Sequence, residues 1–160
     1  MVCRTTTCTI VSMSRRSVKK AVGYVVHHGS LLVFTHDDYP VEVTGVQVPA
    51  GSIAESESPA YAVVREVREE TGLAARIVRS LGIESYDMWP TKPEVHERHF
   101  FQLELVDSNV QVRWKCGEND ASDGGQPVSW TCWWMKLSHA HVLCAGFGAR
   151  LGRIGVDGDL

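Results

Sequence analysis

Three glutamates, Glu66, Glu69 and Glu70, crowd into the short run REVREE. On a helix they stand at i, i+3 and i+4 and share one face. Like charges at that spacing each cost about 0.2–0.5 kcal/mol. They also fall near the end of the helix that Gly72 closes, where the macrodipole disfavours anions. Local stability does not select such a cluster. A hard divalent cation reverses the problem, because Mg²⁺ takes oxygen ligands and keeps waters and substrate phosphates in its shell. It can polarise a phosphoryl oxygen and acidify a bound water, and a neighbouring carboxylate can take that water's proton. The bland reading of the same residues is a solvated charged face, with Arg65 paired to Glu69.

The helix that must carry these side chains is legible on both sides of them. Ser58 is placed to cap it and Pro59 suits the first helical position. Ala60, Val63, Val64 and Val67 form an apolar stripe, and Gly72 is the expected stop. VKKAVGYVVHHGSLLVF, ahead of it, reads as two strands around a turn at His28-Gly29-Ser30. THDDYPVEVTGVQVPAG reads as loop, short strand and loop. AARIVRSLGIESYDM and HERHFFQLELV read as strands, and KCGENDASDGGQP as a polar loop. VSWTCWWMKL is the expected last strand and LSHAHVLCAGFGARL a C-terminal helix. Strands interleaved with helices predict an α/β sandwich.

Bulk properties exclude several classes. The 160 residues suit a single domain, and a net charge of −3 has the wrong sign for a nucleic-acid or membrane surface. No apolar run reaches the roughly 18 residues that span a bilayer. The five cysteines form no CxxC pair, which argues against a disulfide scaffold or zinc ribbon and for a reducing, cytoplasmic setting. His139 and His141, two residues apart, would point about 200° apart on a helix and cannot chelate together. No acid precedes Asp37, whereas Arg4, Arg15, Arg16, Lys19 and Lys20 do. We read residues 1–18 as a disordered tail, a transit segment being the other reading, and 19–160 as one domain.

The spacing around the glutamates is more specific than the cluster itself. From Gly51 it runs through Glu57, Arg65-Glu66-Val67 and Glu69-Glu70 to Gly72-Leu73. This resembles the Nudix box, GX5EX7REUXEEXGU with U aliphatic, at all nine defined positions. Ordinary residue frequencies make a chance match on the order of one in 10⁹ per window. The looser likeness extends over residues 19–152. It implies an α/β/α sandwich with a mixed sheet, and hydrolysis of a diphosphate in a nucleoside diphosphate derivative by water attack on phosphorus. It implies Mg²⁺ as cofactor, with Mn²⁺ also suited. Carried over by position, Glu66, Glu69 and Glu70 match the metal-ligand glutamates, with Glu66 alternatively the base. Arg65 matches the arginine that orients them, and Glu57 a supporting glutamate that can join the metal site. Gly51 matches a turn glycine whose carbonyl can be a ligand.

Beyond the box, Glu118 is the candidate for an additional base or ligand, with Glu97 its rival. Pro49-Ala50-Gly51, Pro90 and Pro93 are similar to features of ADP-ribose pyrophosphatases. Tyr39, Tyr86, Trp89 and Phe100 are candidates to stack on a base, or equally core and rim residues. Trp130, Trp133 and Trp134 are expected inside or at a homodimer interface. The expected partner is a small nucleotide-type molecule, with no membrane and no nucleic acid. A catalytically inactive binding module and an RNA-processing, decapping-type enzyme are the alternatives. The first would be expected to show a broken box, and the second a basic stripe with interleaved aromatics.

Overall fold

A computed structural model describes residues 14–118 and 127–155, and of Glu118 the backbone alone. In chain order the elements are β1 (Arg16–His27), β2 (Ser30–His36), a single turn α1 (Val41–Thr44), β3 (Ala50–Ser52), α2 (Pro59–Thr71), β4 (Ala75–Asp87), β5 (Glu94–Leu105), β6 (Arg113–Glu118) and β7 (Val128–Lys136). Two 3₁₀ segments follow, Leu137–Val142 and Leu151–Arg153.

The strands form one seven-stranded mixed sheet in the order β4-β5-β1-β2-β7-β6, with β3 also paired to β1. β1 is the hinge of this layout. It runs parallel to β5 from Arg16↔Glu94 to Val25↔Leu103, and antiparallel to both β2 and β3. The pairing of Lys20↔Ser52 and Ala21↔Gly51 brings the start of the glutamate loop against the middle of the sheet.

Strand alternation sends side chains to two cores. Ala21, Val25, Leu32, Phe34, Phe101 and Leu103 face α2. Val22, Tyr24, Leu31, Val33 and Phe100 face the opposite side, where Ala140 and the segment around Leu143, Phe147 and Leu151 cover them. Gly23 makes the first face close. A Cβ there would lie 3.1 Å from a Val67 methyl and 3.2 Å from a Val63 methyl, so its absence lets α2 settle on β1.

Several expectations need correction. The apolar stripe of α2 is Ala62, Val63, Val67 and Thr71, with Val64 half-buried, whereas Ala60 is exposed. The stretch THDDYPVEVTGVQVPAG, read as loop, short strand and loop, contains a helical turn at 41–44 that leaves Val41 and Val43 exposed. Lys115–Glu118, read as loop, extends β6 because it finds a full register with Thr131–Val128. The expected C-terminal helix is a 3₁₀ turn followed by coil: Ala145 and Gly146 adopt positive φ, 50° and 73°, which no α-helix accommodates. The coil is tied down instead by Tyr24, whose hydroxyl donates to the Phe147 carbonyl and accepts from Arg150 N at 3.3 Å. Burial pushes the Tyr24 phenol up to about 12. β1 begins at Arg16, inside the expected tail, while residues 1–13 lie outside the described residues. Among the described residues no helix is long and apolar enough to cross a membrane.

Candidate active site

The helix that presents the glutamates is anchored at both ends. Ser58 Oγ accepts from Tyr61 N at 3.2 Å, and Pro59 occupies the first turn. At the other end Gly72 turns left-handed at φ 74°, and its N–H returns to the Arg68 carbonyl. Two indoles, from β7 and β6, take the last carbonyls: Trp130 Nε1 donates to Glu70 O at 2.5 Å and Trp114 Nε1 to Thr71 O at 2.8 Å. Thr71 Oγ1 donates to Val67 O at 2.6 Å. Three carbonyls of the last turn, those of Arg68, Glu70 and Thr71, thus meet protein donors.

Arg65 organises the acids. Its Nε donates to Glu57 Oε1 at 2.7 Å and Nη2 to Glu57 Oε2 at 2.9 Å, a two-point fork. Nη1 donates to Glu66 at 2.7 Å and to Glu69 at 2.9 Å. The remaining Nη2 proton reaches the Ser52 carbonyl at 3.1 Å. All five N–H donors of the guanidinium are thus used, and one residue links β3, the loop after it and two turns of α2. Glu57 is held to about 2, first by the Arg65 fork and then by the Ala54 N–H. The Arg65 guanidinium is held still more firmly protonated, chiefly by Glu57.

On the helix Glu66 is enclosed, 12% exposed where Glu69 is 51% exposed. Burial pushes its carboxyl up, against the pull of Arg65. It fills the space over Gly51, where a Cβ would lie 1.9 Å from its carboxyl carbon. Glu70 Oε2 accepts from Ala50 N at 2.8 Å. The Arg65–Glu69 pair of the bland reading does form. A solvated face does not explain why Glu66 is enclosed or why Gly51 leaves room for it.

The donor set suits a hard divalent cation, since all its atoms are oxygens. The space kept clear at Gly51 holds one of those carboxylates in place. As arranged here, Glu66 and Glu69 meet on one cationic nitrogen of Arg65 and Glu70 rests on Ala50 N. Among the described residues no three acidic, His or Cys side chains converge on a common point.

Beside this cluster opens a cavity of about 220 Å³ whose wall includes Lys20, Thr44, Ala50, His96, Arg98 and Phe147. It shares two residues with the glutamate site. Ala50 holds Glu70, and Lys20 donates to Ser52 Oγ at 2.8 Å. Burial lowers the proton affinity of Lys20, opposed by Glu66. The sequence reading did not find this cationic wall. Its one signal was phase: His96 and Arg98 alternate in step with buried Phe100 on β5.

Other expected residues fall elsewhere. Glu97 sits on β5, 42% exposed, and accepts from His99 Nε2 at 2.8 Å. The Glu118 side chain lies outside the described residues; its backbone pairs with Val128. Phe100 is core and packs on Tyr24, while Tyr39 and Trp89 are about half exposed. Trp130 is buried, Trp134 packs on Trp114 and His27, and Trp133 lies under the Arg113 guanidinium.

A family model described as the NUDIX domain matches residues 18–147. The chain belongs to the Nudix family. It is similar to the ADP-ribose pyrophosphatase of Bacillus subtilis (strain 168), 35% identical over 68 residues, 39% of this chain and 37% of that protein. It is also similar to the RNA pyrophosphohydrolase of Dinoroseobacter shibae, 40% identical over 63 residues, 39% of each chain. The matched stretch is therefore about two fifths of the length of these curated relatives. The MutT protein of Methanosarcina mazei Go1 shares the Nudix fold at a TM-score of 0.62 and 18% identity, over 89% of this chain and 95% of that one.

Proposed function

We propose that this Nudix chain is a metal-dependent hydrolase that cleaves the diphosphate linkage of a nucleoside diphosphate derivative. The observation that carries the reading is the Arg65 constellation, which uses every guanidinium donor to hold Glu57, Glu66 and Glu69 beside a cationic cavity.

In this reading Glu66, Glu69 and Glu70 would hold the cation, with Mg²⁺ favoured and Mn²⁺ also suited to an oxygen-only set. The cation would supply charge stabilisation at phosphorus and a more acidic water. Glu57 fixes Arg65, and Arg65 orients the carboxylates. Gly51 provides room for Glu66. The attacking water's oxygen bonds to phosphorus, and the bridging oxygen leaves with the electron pair of the broken P–O bond. The water's proton passes to a carboxylate. Glu66 is the candidate because it is enclosed, and Glu118 is the candidate outside the box. Lys20, joined to the glutamate site through Ser52, offers positive charge to the phosphates.

The names of the two curated relatives support a pyrophosphate bond as the target and leave two substrate sizes in play. The likeness to the RNA pyrophosphohydrolase brings the 5′ end of RNA into consideration. The intact box disfavours an inactive binding module.

Product release should be followed over nucleoside triphosphates, ADP-ribose, other nucleotide sugars, dinucleoside polyphosphates, coenzyme A, NADH and 5′-triphosphorylated or capped RNA. Each is run with Mg²⁺, Mn²⁺ or EDTA. Metal-dependent cleavage of one class is expected. A folded protein that cleaves none of them overturns the reading.

A further inference from the structure

Arg98 is an unusual residue to find inside this fold. It is 3% exposed. No acidic side chain pairs with it among the described residues; the ionisable groups that act on it are Tyr86, Cys144 and Tyr24, all weak acids. A buried cation without an anionic partner is costly. Yet the chain has arranged its surroundings with care. The guanidinium is sandwiched between the rings of Tyr86 at 4.2 Å and Phe147 at 4.6 Å, which fixes its plane. Nη1 donates to the Ala145 carbonyl, and Nη2 makes only a 3.9 Å contact with the Met88 sulfur.

The backbone that builds this setting is strained. Ala145 has φ 50°. Gly146, at φ 73°, lies so close to Tyr86 that a Cβ would come within 2.5 Å of its ring. Non-glycine residues at positive φ persist where the surroundings hold them, often at ligand sites. Thr44 lies in the same cavity wall. Lys20 completes the wall and connects it to the glutamate helix through Ser52. A cation without an acidic partner among the described residues and an ammonium thus share one cavity beside the glutamate site. Each is a donor to an oxyanion.

We propose that Arg98, with Lys20, forms a subsite for a second anionic group of the substrate, beyond the diphosphate that is cleaved. Arg98 is thereby a specificity-determining residue. It favours nucleoside diphosphate derivatives whose far moiety carries a phosphate or carboxylate over those ending in a neutral sugar. The inference rests on the diphosphatase reading for its catalytic consequence, but the anion subsite can be tested without turnover. The competing account is purely structural: Arg98 only ties the 145–147 segment to β5.

Matched substrates separate the two accounts. With the nucleotide the enzyme accepts, the nucleoside diphosphate glucuronate is compared with the nucleoside diphosphate glucose, and the triphosphate with the ADP-ribose-type substrate. The wild type should prefer the anionic member in kcat/KM by at least about tenfold, the scale of a charge-assisted contact. Arg98→Gln should erase that preference through KM while leaving kcat and the neutral member nearly unchanged. Equal losses on both members, or no preference in the wild type, overturn the proposal.

Finally, inorganic phosphate in EDTA, against chloride at equal ionic strength, should raise the Tm of the wild type and not of Arg98→Gln. If nothing is cleaved but phosphate still stabilises only the wild type, the functional reading fails and the subsite stands. If diphosphates are cleaved but phosphate stabilises neither or both proteins, the subsite fails alone.

Discussion

The carboxylate of Glu66 lies over Gly51, so close that a Cβ on that glycine would sit 1.9 Å from the glutamate's carboxyl carbon. Gly51 is in β3, paired with Ala21 across the sheet, and cannot retreat without breaking that ladder. The glycine is required by what stands above it. Gly51→Ala should therefore expel Glu66 from its place and reduce kcat by at least about 10²-fold, as expected when a reacting group moves by an ångström or more. Circular dichroism and Tm should show the fold retained. Near-normal turnover in folded Gly51→Ala would mean that Glu66 works from another position.

Glu69→Gln and Glu70→Gln separate chemistry from stability. Glu69 is half exposed, and Glu70 makes its Ala50 contact through one oxygen that a glutamine amide can replace. Glu69→Gln should not lower Tm, because it removes a like charge near a helix C-terminus while its amide oxygen can still accept from Arg65. Each should lower turnover by at least about 10³-fold if the carboxylates carry a catalytic cation. Calorimetric titration with Mn²⁺ supplies the second readout: weaker ion binding by both variants is expected.

Arg65→Lys is not a conservative change here. A lysine offers one ammonium where the guanidinium serves five acceptors on three segments. Turnover should fall by at least about 10²-fold, and Tm by roughly several degrees, as when one to two hydrogen-bonded links are lost in a domain of this size. An Arg65→Lys enzyme with wild-type kcat would reduce Arg65 to a surface ion pair.

Acid stability should depend on Asp37. Its carboxylate accepts from Ser129 Oγ at 2.6 Å, Thr131 Oγ1 at 2.7 Å and Lys115 Nζ at 3.0 Å, tying the end of β2 to β7 and β6. These bonds, the Ser129 one foremost, lower its pKa from 3.8 to about 2. A carboxyl with a depressed folded value contributes stability in full above its unfolded value and loses it as pH falls through the folded one. The Tm advantage of the wild type over Asp37→Asn should thus be complete above pH 3.8 and fade towards pH 2. A gap that stays constant across that window would show that the lost contacts are neutral hydrogen bonds.

What the sequence disclosed follows how local each signal is. The cap at Ser58, Pro59 at the first turn and Gly72 at the end are short-range chemistry, and α2 forms between them. The spacing of the box placed Glu57, Arg65, Glu66 and Glu69 on one network, because loop and helix are adjacent in the chain. The helical turn at 41–44 went unread because Val and Thr are β-branched, while Pro40 and the Gly45 turn close VEVT into a helical turn. The C-terminal coil misled in the opposite way: its helical pattern is overridden by positive φ at Ala145 and Gly146, which Arg98 and Tyr86 impose from other strands. Residues 115–118 join β6 through pairing with β7, ten to sixteen positions away across a Gly-rich segment. Arg98 was hidden for the same reason. A single arginine in HERHFF says nothing of the cavity it lines until β1, α1 and the 145–147 segment are brought around it.

The central claim is that water attacks phosphorus at the Glu66–Glu69–Glu70 site with a divalent cation. Hydrolysis of the accepted nucleotide in H₂¹⁸O, with products read by mass spectrometry, tests it most directly. One ¹⁸O atom in a phosphate product is predicted, with turnover abolished by EDTA, restored by Mg²⁺ and lost in Glu70→Gln. Label on a sugar carbon, or cleavage indifferent to EDTA and to Glu70, would contradict it.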